Sequence, residues 1–223
     1  VKSYALFLLL SAGSLITACI SPEGRYDDFA NGKNDGGAAE SNPQDGSGVF
    51  PLAPEQITGS YLYVVSTIVA PRIPTVYLAE VEAEKLGRGV KLRIRQRPLS
   101  KTDRTTPVGP FGDWHEDVLG TDGVIDSAPL RTTVPAAANA LTGLDTDTEI
   151  AMHGRLFNLA AEDDPDAPVD FFCGTITGRI ISPFPIDDLT GSTFTGSRIT
   201  DVDDPKSYPP VVINCDKDPA RPL

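Results

Sequence analysis

His115 and His153 are the only imidazoles in 223 residues, so a Ser-His-Asp relay has to use one of them. The Gly-x-Ser-x-Gly elbow that presents a nucleophilic serine does not occur. Trp114-His115-Glu116-Asp117 lacks the second histidine of a zinc-binding His-Glu-x-x-His helix. Two histidines without a spaced set of cysteines do not make a transition-metal site. In the alternation of its segment, His153 falls opposite Met152, on the solvent side. Carboxylates are plentiful in Asp145-x-Asp147-x-Glu149, Asp163-Asp164-x-Asp166, Asp187-Asp188 and Asp201-x-Asp203-Asp204. Such oxygen ligands suit calcium, but none follows the twelve-residue EF-hand spacing, and aspartate is common in turns because it stabilises them locally. No pair is singled out as a glycosidase acid and base. The expectation is therefore a non-enzymatic protein with no catalytic residue, no metal and no cofactor.

The elements that would carry these residues read as strands. Thr58–Val69, Thr75–Ala83, Val90–Arg97, Leu130–Val134, Thr148–Asn158, Val169–Ser182, Ser192–Thr200 and Val211–Cys215 are rich in Val, Ile, Thr, Tyr and Phe, and Gly, Pro and Asp bound them. Twenty Gly and twenty Pro suit short strands joined by turns better than helices. Val90–Arg97 is the clearest case. Val90, Leu92 and Ile94 share one face, while Lys91, Arg93, Arg95 and Arg97 share the other. The preceding segment sets Glu80, Glu82 and Glu84 against Tyr77, Ala79, Val81 and Ala83. A hairpin around Gly87-Arg88-Gly89 lays the two charged rows side by side, and such cross-strand pairs fix register. The basic row, extended by Arg88, Lys101 and Arg104, could instead dock lipopolysaccharide phosphates or an acidic partner. Exposed ion pairs need no partner to explain them, so the ladder is preferred. Ala79–Leu86 also has helix propensity, with Gly87 as a cap, but the alternation favours a strand.

Lys2, an apolar run from Tyr4 to Leu10, and small residues up to Ala18-Cys19 form the three-part layout of a secretory signal. Tyr4–Thr17 would make a helix of about 21 Å, short of the roughly 30 Å hydrocarbon core of a bilayer. Leu15-Ile16-Thr17-Ala18-Cys19 closely resembles a lipobox, the processing site of bacterial lipoproteins. The resemblance implies cleavage between Ala18 and Cys19, multiple acylation of Cys19 and stable membrane attachment. Ile20 after the cysteine, rather than Asp, implies sorting to the outer membrane. Residues 1–18 are then a cleaved signal, and 19–55 a lipidated, Gly-, Asn-, Asp- and Ser-rich tether with a reach on the order of 33 Å. Residues 56–223 make one β domain. The formal charge of −12 disfavours nucleic acid and anionic lipid as partners.

With Cys19 lipidated, Cys173 and Cys215 remain in an oxidising compartment, where one disulfide is the simplest outcome. It would pin the last predicted strand to the sheet. Phe171-Phe172-Cys173-Gly174, Thr177-Gly178, Pro183 and Asp188-Leu189-Thr190-Gly191-Ser192-Thr193-Phe194 resemble the C-terminal pattern of certain uncharacterised bacterial lipoproteins. In that stretch Gly174, Gly178 and Gly196 mark close packing, a bulge or a bend. The expected fold is all-β, an antiparallel β-sandwich or closed barrel of about eight strands. The expected function is a non-enzymatic binding or structural module of the envelope, with an envelope protein as partner. The alternative is a carrier of a small hydrophobic ligand. Ile57-Thr58-Gly59-Ser60-Tyr61 resembles the Gly-aromatic segment that opens lipocalin barrels, though the aromatic partner of that motif is absent. A carrier needs an apolar cavity, a docking module an exposed patch, and a hydrolase a histidine beside a nucleophile.

Overall fold

The alternation along Val90–Arg97 forms the strand it predicts, and so do its neighbours. The computed structural model describes residues 53–86, 89–119, 123–157, 164 and 166–223. The expected cleavage site at Ala18 and Cys19, and the tether up to residue 52, lie outside the described residues. A single helical turn, α1 (Pro54–Ile57), precedes nine strands: β1 (Gly59–Ser66), β2 (Thr75–Leu86), β3 (Gly89–Pro98), β4 (His115–Leu119), β5 (Val124–Asp126), β6 (Leu130–Val134), β7 (Thr146–Phe157), β8 (Phe171–Ser182) and β9 (Ser192–Ile199). All pair antiparallel in one sheet of order β4-β3-β2-β1-β9-β8-β7-β5, with β6 also on β7. β5 and β6 take successive stretches of the same edge of β7, Gly154 with its neighbours and Thr146–Ile150. Together they count as one interrupted strand, which makes eight positions around a ring. β4 lies beside β5 with no ladder between them. The sheet is thus a nearly closed barrel, and two facing sheets, as in a sandwich, are not what forms.

Period-two side-chain alternation gives this barrel two cores. Tyr61, Tyr63, Tyr77, Ala79, Val81, Leu92, Leu119, Ile125, Leu156, Phe172, Ile176 and Phe194 point inward as one buried cluster. Leu62, Val64, Val76, Leu78, Leu99 and Ile199, on the alternate positions, form a second cluster outside the wall, covered by Phe111, Tyr208 and Val211. A strand buried on both faces reads as a continuous apolar run, which is why Tyr61-Leu62-Tyr63-Val64-Val65 shows no alternation.

The charged hairpin forms with the glutamate row opposite the basic row, as expected, and the register sets Glu80 opposite Arg95, Glu82 opposite Arg93 and Glu84 opposite Lys91. β2 runs on as a strand to Leu86, so the helical option for Ala79–Leu86 is not taken. Arg95 and Glu80 meet at 2.5 Å and Arg93 and Glu82 at 2.9 Å, while Lys91 turns instead to Glu116 on β4 at 2.8 Å. Trp114 lies over Arg93 and Arg95, and Phe111 over Arg95 and Arg97. Lys101 donates to the Ala136 carbonyl and Arg104 to that of Arg221. Among the described residues the basic row is engaged within the chain; Arg88 lies outside them.

Three expectations change. Val211–Cys215 is not a strand; it makes one isolated bridge, Val212 to Pro219. Both edges of β9 are already taken by β1 and β8, so no ladder position remains for it. This segment instead lies on the outer wall, where the Thr195 and Thr193 hydroxyls donate to the Val212 and Ile213 carbonyls. β4 and β5 were not anticipated. His115-Glu116-Asp117 is polar and β5 is only three residues long, so neither carries a strong β signature. β1 also ends at Ser66 rather than Val69. Ahead of β1, α1 packs through buried Gln56 and Ile57. The Cys173–Cys215 disulfide is present, with Cα atoms 5.4 Å apart. It fastens the C-terminal strap, not a strand, to β8. At Gly196, a Cβ would overlap the ring of Phe172 on the neighbouring strand. That explains this glycine by close packing, as its position suggested. Gly178 (φ +126°) takes a conformation that other residues rarely adopt.

No helix among the described residues is long and apolar enough to cross a membrane.

Candidate functional site

The two ends of the barrel differ. β1 starts at the end where Gly59 pairs with Val81 and finishes where Val65 pairs with Thr75. At the first end the lumen is filled. Tyr61, Tyr63, Phe172 and Phe194 stack as a tilted aromatic group with centroids 5.1 to 6.3 Å apart. Below them Arg198 closes the base. Its guanidinium donates to the carbonyls of Val169 (2.6 Å), Thr58 (3.0 Å), Gln56 (2.6 Å) and Ile57 (3.4 Å), and to the Tyr61 hydroxyl (2.7 Å). It also lies 4.9 Å from the Tyr61 ring centre. Burial pushes the Tyr61 hydroxyl up to about 12 although the Arg198 charge opposes the shift. One side chain therefore ties β9 to α1, to the chain ahead of β1 and to the chain ahead of β8.

The other end is open and holds a cavity of about 310 Å³. Its floor is Tyr63, Tyr77, Met152 and Ile176; its walls rise through Val65, Ile150 and Ile180 to Leu189. Small-molecule sites run from about 300 to 1,000 Å³, so this one fits a small ligand. Not one of its 25 lining residues carries a charge. Tyr63 and Tyr77 are buried, and desolvation raises both phenols far above their ordinary range, so they stay neutral. The Tyr63 hydroxyl is satisfied by the Met152 sulfur at 2.8 Å.

Three loops ring this mouth. The β1–β2 loop presents Ile68 and Val69, the β6–β7 loop Leu141 and Leu144, and the β8–β9 loop Phe184, all exposed, Phe184 by 60 %. Val69, Leu141 and Phe184 continue the lining of the cavity outward. Buried Asn139 holds the β6–β7 loop in shape: its amide donates to Thr142, Leu144 and Thr146, and its oxygen accepts from the Leu141 and Thr142 amides. The apolar collar is thus set on a built loop.

The residues considered first for chemistry lie elsewhere. His115 is exposed on β4. His153 faces outward, as its alternation indicates, with Nδ1 2.7 Å from Asp126 and Nε2 3.4 Å from the Thr177 hydroxyl. That ordering of carboxylate, imidazole and hydroxyl resembles a relay, but it stands on the convex outer wall, away from the cavity, and joins β5 to β7 and β8. Burial pushes the Asp117 carboxyl up, against the Val118 amide that donates to it and with the Asp126 charge reinforcing the rise. The acidic clusters are spent one residue at a time. Asp145 caps Ala136, Asp147 takes Thr133 and Ser182, and Glu149 pairs with Arg179. Asp188, Asp201 and Asp204 each accept from the backbone two residues on. Among the described residues no three His, Cys, Asp or Glu side chains are placed to hold a metal ion.

Sequence reasoning missed the cavity itself. Its lining comes from β1, β2, β3, β6, β7, β8, β9 and the loops between them, and no local spacing announces it. No known protein family, curated protein or solved structure matches this chain.

Proposed function

We propose that this chain is an outer-membrane-anchored lipoprotein whose β domain is a non-enzymatic binding module, and that it takes a small, neutral, mostly apolar molecule into the barrel mouth. The observation that carries the binding reading is a cavity open at one end, floored by Tyr63, Tyr77, Met152 and Ile176 and lined without any charge. Burying an unpaired ion there would cost several kcal/mol, whereas an uncharged apolar molecule gains about 25 cal/mol for each Å² it buries. The reading thus takes the form of the carrier that the Gly59-Ser60-Tyr61 segment suggested. The anchoring part rests on the lipobox-like residues ending at Ala18-Cys19 and on Ile20; a disulfide suits the same oxidising location. A second reading has the apolar collar of Ile68, Val69, Leu141, Leu144 and Phe184 dock an envelope protein.

N-phenyl-1-naphthylamine, a neutral probe that brightens in apolar surroundings, tests the binding. It should bind the wild-type domain at one site. Val65→Trp, which adds bulk from the half-buried wall position into the mouth, should weaken it at least tenfold while the far-ultraviolet spectrum and melting temperature stay close to wild type. No binding to the wild type, or equal binding to the folded variant, would remove the cavity from the account.

A further inference from the structure

The lumen wall is not uniformly apolar. Val65, Ile150, Met152, Ile176, Ile180 and Leu189 line it from β1, β7, β8 and the β8–β9 loop. From β2 and β3 come Tyr77 and Gln96. Tyr77 pairs with Pro98 and Gln96 with Ala79, so the two are diagonal neighbours on adjacent strands, with both side chains turned inward. Side chains so placed are within joint reach of one ligand atom.

Their hydrogen-bonding state, shared with the Thr67, Thr75 and Thr132 hydroxyls, sets them apart from the rest of the polar lining. Tyr63 is held by Met152, Asn139 by its own loop, Thr148 by the Thr132 carbonyl and Ser192 by the Ile68 amide. The Tyr77 hydroxyl and the Gln96 carboxamide have no hydrogen-bond partner among the described residues. Neither is among the buried atoms left without a partner, so both groups open onto the lumen, where water or a ligand can meet them. Both of these can donate: the phenol, held neutral by burial, through its O–H, and the carboxamide through its N–H.

Resting on the carrier reading above, we propose that the ligand is an uncharged carbonyl compound. Its C=O lies on β2 and β3, where it accepts from the Tyr77 hydroxyl and the Gln96 carboxamide, and its hydrocarbon part runs against the β7–β8 wall. A carboxylate of the same length is excluded, because the lining offers it no cation. An alkane of the same length fills the apolar side but leaves both polar groups unpaired.

Methyl pentyl ketone, heptane and heptanoate are the probes, each titrated directly into the ¹⁵N-labelled domain and followed by amide shifts along β2, β3 and β8. The ketone should bind about tenfold or more tighter than heptane, and heptanoate more weakly than the ketone by at least as much. Tyr77→Phe and Gln96→Leu, both close in shape to the residues they replace, should each weaken the ketone several-fold and leave heptane unchanged. If ketone and heptane bind alike, or the variants shift both equally, the carbonyl assignment is wrong and the carrier stands. If heptanoate binds best, the neutral-ligand argument is wrong. If no probe shifts the lumen resonances, carrier and carbonyl site fall together.

Discussion

Replacing Arg198 by alanine should lower the unfolding free energy by about 3 kcal/mol, since hydrogen bonds to a charged group contribute about 1.5–3 kcal/mol each and their loss strands buried acceptors. For a domain of this size that is a drop of roughly 6–12 °C in melting temperature. Five acceptors each lose one donor at once: the carbonyls of Gln56, Ile57, Thr58 and Val169 and the hydroxyl of Tyr61. The Gln56 carbonyl keeps the Val169 amide, and the Val169 carbonyl keeps the Tyr61 hydroxyl. Tyr61 still donates to Ile57 at 2.7 Å, so part of the closure survives. Arg198→Lys keeps the charge but not the planar fork that serves several carbonyls together, and should recover no more than about half of the loss. Urea and thermal melts of the two variants are the check. A loss below about 1 kcal/mol for the alanine variant would mean the base is closed by α1 packing alone.

The second large effect belongs to the disulfide. Cys173→Ala with Cys215→Ala removes a crosslink spanning 42 residues, for which the chain-entropy relation gives about 4 kcal/mol and typical practice 2–4 kcal/mol. The loss should be unevenly distributed. Cys215 sits in a strap held otherwise by the Thr193 and Thr195 hydroxyls and by the packing of Tyr208 and Val211 on the outer cluster. The barrel ladder does not include it. Amide exchange is therefore expected to quicken at Ile213 and Ala220, whose amides donate to Asp218 and Val211, before β1, β8 or β9 loses protection. With the strap open, Leu62, Val64, Leu78 and Ile199 lose cover, so the variant should bind more of an exposed-surface dye. Uniform loss of protection across barrel and strap would show that the strap is part of one cooperative unit with the barrel.

How far the sequence announces this fold depends on whether a segment's neighbours lie inside its own pattern. β2 and β3 are legible as a paired hairpin, because two complementary charged rows and two apolar rows specify each other. β7, β8 and β9 are long, β-branched and bounded by turns, and they appear where the pattern puts them. β4 and β5 escape because His115-Glu116-Asp117 and Val124–Asp126 owe their strand state to β3 and β7 beside them rather than to their own propensity. Val211–Cys215 misleads for the opposite reason: Val211-Val212-Ile213 has strand composition, yet its apolar side chains cover an outer cluster and no free edge exists for it. The pairing of Cys173 with Cys215 could be reached by elimination; what it fastens could not. The cavity needs seven strands to exist, and its decisive property, the absence of charge, belongs to no motif. In retrospect Gln96 breaks the inward run of Val90, Leu92 and Ile94, and a polar side chain on an inward face is the one local sign that this stretch lines an open lumen rather than a packed core.

The most direct test of the central claim is native mass spectrometry of the full-length protein released gently from its own envelope. A discrete, stoichiometric small-molecule mass retained on the wild type and lost from Val65→Trp is the predicted result; that mass should be of an uncharged compound. Wild-type protein that arrives bare, or that carries a second polypeptide while its cavity stays empty, would contradict the account and give the apolar collar to a protein partner.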